Sequence, residues 1–335
     1  MPEPMLETID LTKTFAVRRG FFAQRQTRLV AVDRVSLSIA PGETLGMVGE
    51  SGCGKSTLGL AVMQLYEPNG GQVRFDGDDL VGMPQNQLNR VRRKMQMIYQ
   101  DPYAALDPRM NVEEILTEPL HIHKIGSRQE RIATARSLLD TVGMPADSLG
   151  RFPSEFSGGQ QQRIGVARAL MLQPKMLICD EPVSSLDVSV QAQILNLLQD
   201  LQKTFQLTYL FISHNIAVTR FLSRRIGVMY LGRLMEIGPS EAIVEAPLHP
   251  YTQALISAVP DPRPSDVRRV RRLSGDVPSP VDRPSGCPFH PRCPIARERC
   301  VSEEPQLRRL LQDHLVACHY AQVPAGTGGV AAGAS

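Results

Sequence analysis

A short apolar run at 44–48 leads straight into Gly49-Glu-Ser-Gly-Cys-Gly-Lys-Ser56, and helical spacing follows at Leu58, Ala61, Val62 and Leu65. Strand, glycine loop and helix in that order constrain this chain more than any other feature of it. Glycines at 49, 52 and 54 let backbone amides turn toward an anion with no Cβ in the way. The helix that follows aims its N-terminal amides at the same point. Residues 49–57, including Ser51, Cys53 and Thr57, therefore read as a phosphate cradle. Lys55 is placed to reach the β- and γ-phosphates of a nucleotide, and Ser56 to hold Mg²⁺. An ordinary glycine turn would need neither the lysine nor the flanking strand and helix.

Further along, 156–160 read Phe-Ser-Gly-Gly-Gln. Ser157, Gly158 and Gly159 precede a helix predicted at about 159–172, with Pro174 as its stop. They form a second anion-ready helix start, this one without a lysine, and Gln160 belongs to the same turn. Helix capping by Ser157 is the simpler alternative. One nucleotide rarely needs two such sites from one subunit. Two chains facing head to tail would use both, so the two motifs together point to a nucleotide hydrolase that works as a pair.

Met176-Leu-Ile-Cys-Asp180-Glu181 is an apolar strand ending in two carboxylates. In an open α/β sheet that edge is where ligands bind. Asp180 is expected to organise Mg²⁺ and Glu181 to polarise the attacking water as general base. The bland reading is an acidic cap after a strand, which the preceding phosphate loop disfavours. His214 follows the apolar run 207–212 and is placed to contact the γ-phosphate. Gln100 closes the alternating strand 95–99 and is placed to sense metal and water, with a surface turn as its competitor. Phe15, in an early strand-like segment, can stack on adenine or serve as a core aromatic.

Strands alternating with helices from 44 to 212 argue for an α/β, mostly parallel, doubly wound core. Alternation at 5–11, 35–39 and 72–76 adds an antiparallel side sheet, and 18–28 reads as a basic irregular loop. Residues 101–127 read as mixed but mainly helical. Ile132, Ala135, Leu138, Leu139 and Val142 line one helix face closed by Gly143. Residues 226–230 and 234–237 flank Leu-Gly-Arg as a hairpin, 260–286 reads as a Pro/Arg/Ser linker, and 322–335 as a disordered tail. A net charge of +3, no Trp and 5% aromatic residues argue against nucleic acid as partner. No apolar stretch reaches membrane-spanning length and the N-terminus lacks a secretory pattern, so a cytoplasmic protein is expected.

Together these residues resemble the ATP-binding subunits of ABC transporters over about 5–260. The resemblance makes 49–56 the Walker A motif, Gln100 the Q-loop, 156–160 the signature, 176–181 Walker B, 184–187 the D-loop and His214 the switch histidine. It implies that ATP and Mg²⁺ are bound, with Gln100 joining Ser56 and Asp180 at the metal. It also implies that one subunit's signature completes its partner's ATP site and that Asp187 lies at the dimer interface. Residues 156–164, 180–193, 249–255 and the Gly286-Cys-Pro-Phe and Arg292-Cys pairs are similar to the dipeptide/oligopeptide importer branch. That implies a peptide-importing ATPase on the cytoplasmic face of the cell membrane. Its partners would be a sister ATPase subunit, two permeases and an extracytoplasmic peptide-binding protein. A nickel or glutathione importer is the nearest alternative and a non-transport ABC ATPase the more distant one. The expected domains are a nucleotide-binding domain at 1–260, with a helical signature subdomain at about 101–172, a cysteine-bearing extension at 261–320 and a tail. Gln161 stands where the family favours a basic residue, and Asn215 where it favours Asp.

Cys287, Cys293, Cys300 and Cys318 crowd the end of the chain without a tight two-residue knuckle. In a cytosolic protein they suggest metal more than disulfides. Four thiolates suit a [4Fe–4S] cluster, which some related importer ATPases carry. Reduced structural cysteines and zinc remain the alternatives. The nearby Arg268, Arg269, Arg271 and Arg272 read as a solvated linker.

Overall fold

The computed structural model describes residues 3–18, 26–258 and 275–323. The chain begins with β1 (Leu6–Arg18), β2 (Gln26–Ile39), β3 (Thr44–Val48), α1 (Lys55–Val62), β4 (Gly70–Phe75) and β5 (Asp78–Asp79). It continues through α2 (Gln85–Lys94), β6 (Met95–Ile98), α3 (Pro102–Ala105), α4 (Val112–Ile122) and α5 (Arg128–Thr141). Then follow α6 (Gly158–Leu170), β7 (Met176–Asp180), α7 (Val188–Phe205), β8 (Thr208–Ser213) and α8 (Ile216–Leu222). The last elements are β9 (Arg225–Tyr230), β10 (Arg233–Pro239), α9 (Ser240–Glu245), α10 (Pro250–Ser257), α11 (Glu298–Ser302), β11 (Arg308–Leu311) and β12 (His314–Val316). The described residues fall into two compact units, one formed by those up to 39, 44–81 and those from 212 onward, the other by 40–43 and 82–211.

In the first unit, β2, β1, β4 and β5 form an antiparallel sheet in that order. Leu6 faces Ile39 on one side and Phe75 on the other, and all three side chains are fully buried. The same unit pairs β3 in parallel with β9, and β9 antiparallel with β10 through a turn in which Leu231 and Gly232 both take positive φ. That turn matches the twist of a two-stranded ribbon and confirms the expected hairpin. All five residues of β3 are buried, as a parallel strand covered on both faces requires. The cysteine segment adds its own hairpin, β11–β12, with β12 pairing antiparallel to β10.

In the second unit the strand order is β8, β7, β6, with β6 parallel to β7 from Met95–Met176 to Ile98–Cys179. Each residue of β7 is buried. Helices α4 and α5 start with complete capping boxes, Asn111 with Glu114 and Ser127 with Glu130. Both helices lie within the helical region expected from the sequence.

Several boundaries differ from the sequence reading. The basic segment 18–28 is shorter, because β1 runs to Arg18 and β2 starts at Gln26; the intervening 19–25 lie outside the described residues. Helix α2 was not expected, since its sequence is almost wholly polar and only Leu88 and Val91 are buried. Helix α6 ends at Leu170, ahead of a left-handed Gln173 and Pro174. The β11–β12 hairpin was also unforeseen. Much of the linker at 260–286, the four arginines at 268–272 and nearly all of the tail lie outside the described residues.

Candidate nucleotide site

The phosphate loop joins β3 to α1 within the first unit. Gly54 is the N-cap of α1 at φ 103°, with no side-chain cap. A Cβ there would lie 2.0 Å from the Ala31 carbonyl oxygen, so both the φ and the close approach demand glycine. No acidic residue occupies the first turn, which leaves the positive end of the helix uncompensated. Lys55 is buried and folds back on its own loop, its Nζ donating to the carbonyls of Gly49 at 2.7 Å and Glu50 at 3.1 Å. Ser51 and Gly52 are exposed, while Ser56 and Thr57 are half-buried at the start of the helix. Cys53 points inward, and burial pushes its thiol up from the usual value, which makes it a packing residue rather than a reactive one.

The loop is also held from outside. The Tyr251 hydroxyl accepts from the Glu50 amide at 2.9 Å, and Arg292 donates twice to the Glu50 carboxylate. Neither residue was singled out from the sequence for a role at the nucleotide. Phe15 is half-buried in β1, edge-on to Tyr66 at 5.3 Å with the Lys13 ammonium 5.1 Å from its ring centre. His214 follows β8 in the first unit, exposed, just ahead of Asn215. Asn215 caps α8 by accepting from the Ala217 and Val218 amides, a local role that an Asp would fill equally well.

The second unit brings two predicted catalytic residues together: Gln100 Nε2 donates to Glu181 Oε2 at 3.2 Å. Asp180 is buried at the end of β7, and Glu181 leaves the strand with φ 45°. A non-glycine residue there carries local strain of about 1 kcal/mol or more, held by the turn in which the Ser184 amide and hydroxyl both donate to the Glu181 carbonyl. Strain of this kind collects where a side chain must be aimed.

The signature turn lies in the same unit. Ser157 caps α6 with a capping box: its Oγ accepts from the Gln160 amide, and its own amide donates to Gln160 Oε1 at 3.0 Å. A Cβ on Gly159 would meet Val190 Cγ1 at 2.4 Å, so this glycine is fixed by the close approach of α7. Phe156 is buried with the Arg151 guanidinium 4.3 Å from its ring centre. Gln161 is buried too, donating to the carbonyls of Pro153 and Phe156, so it supports the turn from below. Asp187 caps α7 by accepting from the Val190 amide and the Ser189 hydroxyl, which hold its carboxyl below the usual range. The next residue, Val188, is 82% exposed.

Residues 32–184 match the family described as ABC transporter, and 235–300 the one described as oligopeptide/dipeptide transporter, C-terminal region. The chain is 48% identical over 320 residues to the oligopeptide transport ATP-binding protein AppF of Bacillus subtilis, covering 95% of this chain and 97% of that one. It is 47% identical over 320 residues to the di/tripeptide transport ATP-binding protein DppF of Pseudomonas aeruginosa, covering 96% and 98%. The chain belongs to the ABC transporter ATP-binding subunits of the oligopeptide/dipeptide branch. It is also similar to a dimeric ATP-binding cassette solved in a post-hydrolysis state with ADP and Pi. That match has 28% identity and a TM-score of 0.63, and covers 70% of this chain and 99% of that one.

This ABC subunit is therefore an ATPase. No helix among the described residues is long and apolar enough to cross a membrane. Its four C-terminal cysteines are free. Burial, with the other three thiols adding repulsion, pushes Cys287 up to about 12. Cys293 and Cys318 are raised by burial as well. Among the described residues no three His, Cys, Asp or Glu side chains are gathered closely enough to hold a single metal ion.

Proposed function

We propose that this ABC subunit hydrolyses ATP to drive import of di- or oligopeptides. It would work with a sister ATP-binding subunit, two membrane permeases and an extracytoplasmic peptide-binding protein, bound peripherally at the cytoplasmic face. The observation that carries the catalytic part is the Gln100–Glu181 hydrogen bond at the end of β7. It aims the expected base with a side chain that can also sense metal and water. In this reading Lys55 and the loop amides bind the phosphates, and Ser56, Asp180 and Gln100 hold Mg²⁺. His214 contacts the γ-phosphate, and Phe15 stacks on adenine. Ser157, Gly158, Gly159 and Gln160 complete the sister subunit's site, with Asp187 and the exposed Val188 at the interface. The peptide cargo is supported by the C-terminal match at 235–300 and by the similarity to peptide-transport ATP-binding proteins.

We also propose that Cys287, Cys293, Cys300 and Cys318 hold a [4Fe–4S] cluster that pins the extension to the core, at the end of a nucleotide-binding domain formed by 1–260. The donor set fits: the Cys287 amide donates to the Cys300 carbonyl at 2.8 Å, and Cys293 packs against the buried apolar cluster that holds both. Zinc, at about 2.3 Å from each sulfur, would draw the thiols into tight contact. A four-iron cube takes one thiolate per iron, so the four cysteines supply the ligands it needs.

Co-purification from the native membrane tests the transport reading. Permeases and a peptide-loaded binding protein should accompany the chain, and that binding protein should stimulate ATP turnover. A binding protein carrying nickel or glutathione would replace the cargo, and no permease at all would replace transport. Iron and sulfide at four each per chain after anaerobic purification are expected for the cluster; one zinc would overturn it.

A further inference from the structure

The sequence of the phosphate loop contains a contradiction that the structure resolves. Glu50 follows the first glycine of a loop built to receive phosphates, and its carboxylate has the ligand's own sign. Arg292 meets it as a fork: Nη1 donates to Glu50 Oε2 at 2.7 Å and Nη2 to Oε1 at 3.0 Å. The arginine side chain is only 6% exposed and the glutamate 24%. The guanidinium also lies 5.8 Å from the Tyr230 ring centre, with Nη1 3.4 Å from the Tyr230 hydroxyl. A bidentate pair in such a setting is far less screened than a surface ion pair.

Arg292 is delivered to this point by packing. It ends a single turn, His290–Arg292, in which His290 Nδ1 lies 2.9 Å from the Cys287 carbonyl oxygen. The turn is anchored by Phe289, fully buried against Tyr230 and Tyr251 at ring distances of 5.4 Å and 5.3 Å. Tyr251 in turn accepts the Glu50 amide. One loop residue is thus held twice, its backbone by α10 and its charge by the C-terminal extension.

We propose that Arg292 is a positioning residue for ATP binding: it neutralises Glu50 and holds the phosphate loop open to the nucleotide. With Glu50 cancelled, Lys55 is the uncompensated charge the loop presents. Without Arg292, the carboxylate is set free beside the phosphates, while Tyr251 still holds the loop backbone. The cysteine-bearing extension is then part of the ATP site of its own chain, whatever its thiols hold.

The test is equilibrium binding of MgATP to the full chain. Arg292→Ala should weaken binding about tenfold. In a Glu50→Gln background the same Arg292→Ala change should cost less than about twofold, because no charge remains to cancel. An arginine that merely braces the extension would cost as much in both backgrounds, and that result overturns the proposal, as does unchanged affinity in Arg292→Ala. Should Arg292→Ala fail to fold, Arg292→Lys serves. It keeps the charge and loses the fork, so it should bind within about threefold of the parent. A tenfold loss in the lysine variant would also overturn the proposal.

Discussion

The chain has two glycine turns at helix starts, and they are built in opposite ways. The loop ahead of α1 has a bare left-handed glycine as N-cap, no acid in its first turn and a lysine buried among its carbonyls. The turn ahead of α6 is closed on itself, with Ser157 and Gln160 satisfying each other's amides. The first is braced from outside by Tyr251 and Arg292; the second is braced from its own helix by Gln161. An uncapped, charged loop is incomplete without an anion. A self-capped turn is complete alone and has only a serine and two glycines to offer. The contrast suits one primary ATP site and one surface that closes over a nucleotide already bound elsewhere.

The sharpest way to separate binding from turnover is Glu181→Gln. It should lower ATP turnover by about 10²–10⁴-fold while MgATP binding persists, because it removes the base and leaves the α1 loop untouched. Turnover at the parent rate would remove Glu181 from its role. Lys55→Ala should follow, weakening MgATP binding about a hundredfold, measured by nucleotide titration. Unchanged affinity would break the comparison at its first term.

Acid should also distinguish the two turns. His249 caps α10 by accepting from the Tyr251 amide, and burial pushes it down to about 4, against the opposing pull of Glu236. An unfolded histidine titrates near 6.5, so between 6.5 and 4 the opened chain takes up a proton that the folded one refuses. Its contribution is intact above about 6.5 and is lost as pH falls toward 4, about 3 kcal/mol in all. Amide exchange at Glu50, corrected for intrinsic rates, should accelerate at pH 5 relative to pH 7, while Gln160, held by uncharged groups, should not. Equal acceleration at both would refute the difference, and His249→Gln should abolish the pH effect.

Much of this was legible in the sequence because the relevant signals are local. The run into Gly49-Glu-Ser-Gly-Cys-Gly-Lys-Ser56 fixes strand, loop and helix within a few residues, and Ser157-x-x-Gln160 is a capping box that spacing alone reveals. What escaped was long-range or unpatterned. Arg292 and Glu50 are 242 residues apart and meet only because Phe289 docks on Tyr230 and Tyr251. Helix α2 escaped because Leu88 and Val91 give too little apolar periodicity in a run of Arg, Gln and Asn. The β11–β12 hairpin escaped because Arg308-Arg309-Leu310-Leu311 does not alternate; its one local signal is the polar Gln312-Asp313 turn, where Asp313 takes φ 60°.

The smallest effect should come from Ser157→Ala. Losing the cap costs α6 about 1 kcal/mol, because the Gln160 amide loses its side-chain acceptor. A simple capping residue would stop there: a slightly lower Tm and nothing else. A surface that closes over a partner's nucleotide predicts more. ATP binding to the isolated chain should stay within about twofold, since the α1 loop is intact, while ATP-driven pairing with the sister subunit weakens about tenfold through the lost hydroxyl. Ser157→Thr, which keeps the cap and the hydroxyl, should restore both. If Ser157→Ala weakened ATP binding in the isolated chain as strongly as pairing, the two turns would serve one nucleotide in one chain. The division of labour between them would then be wrong.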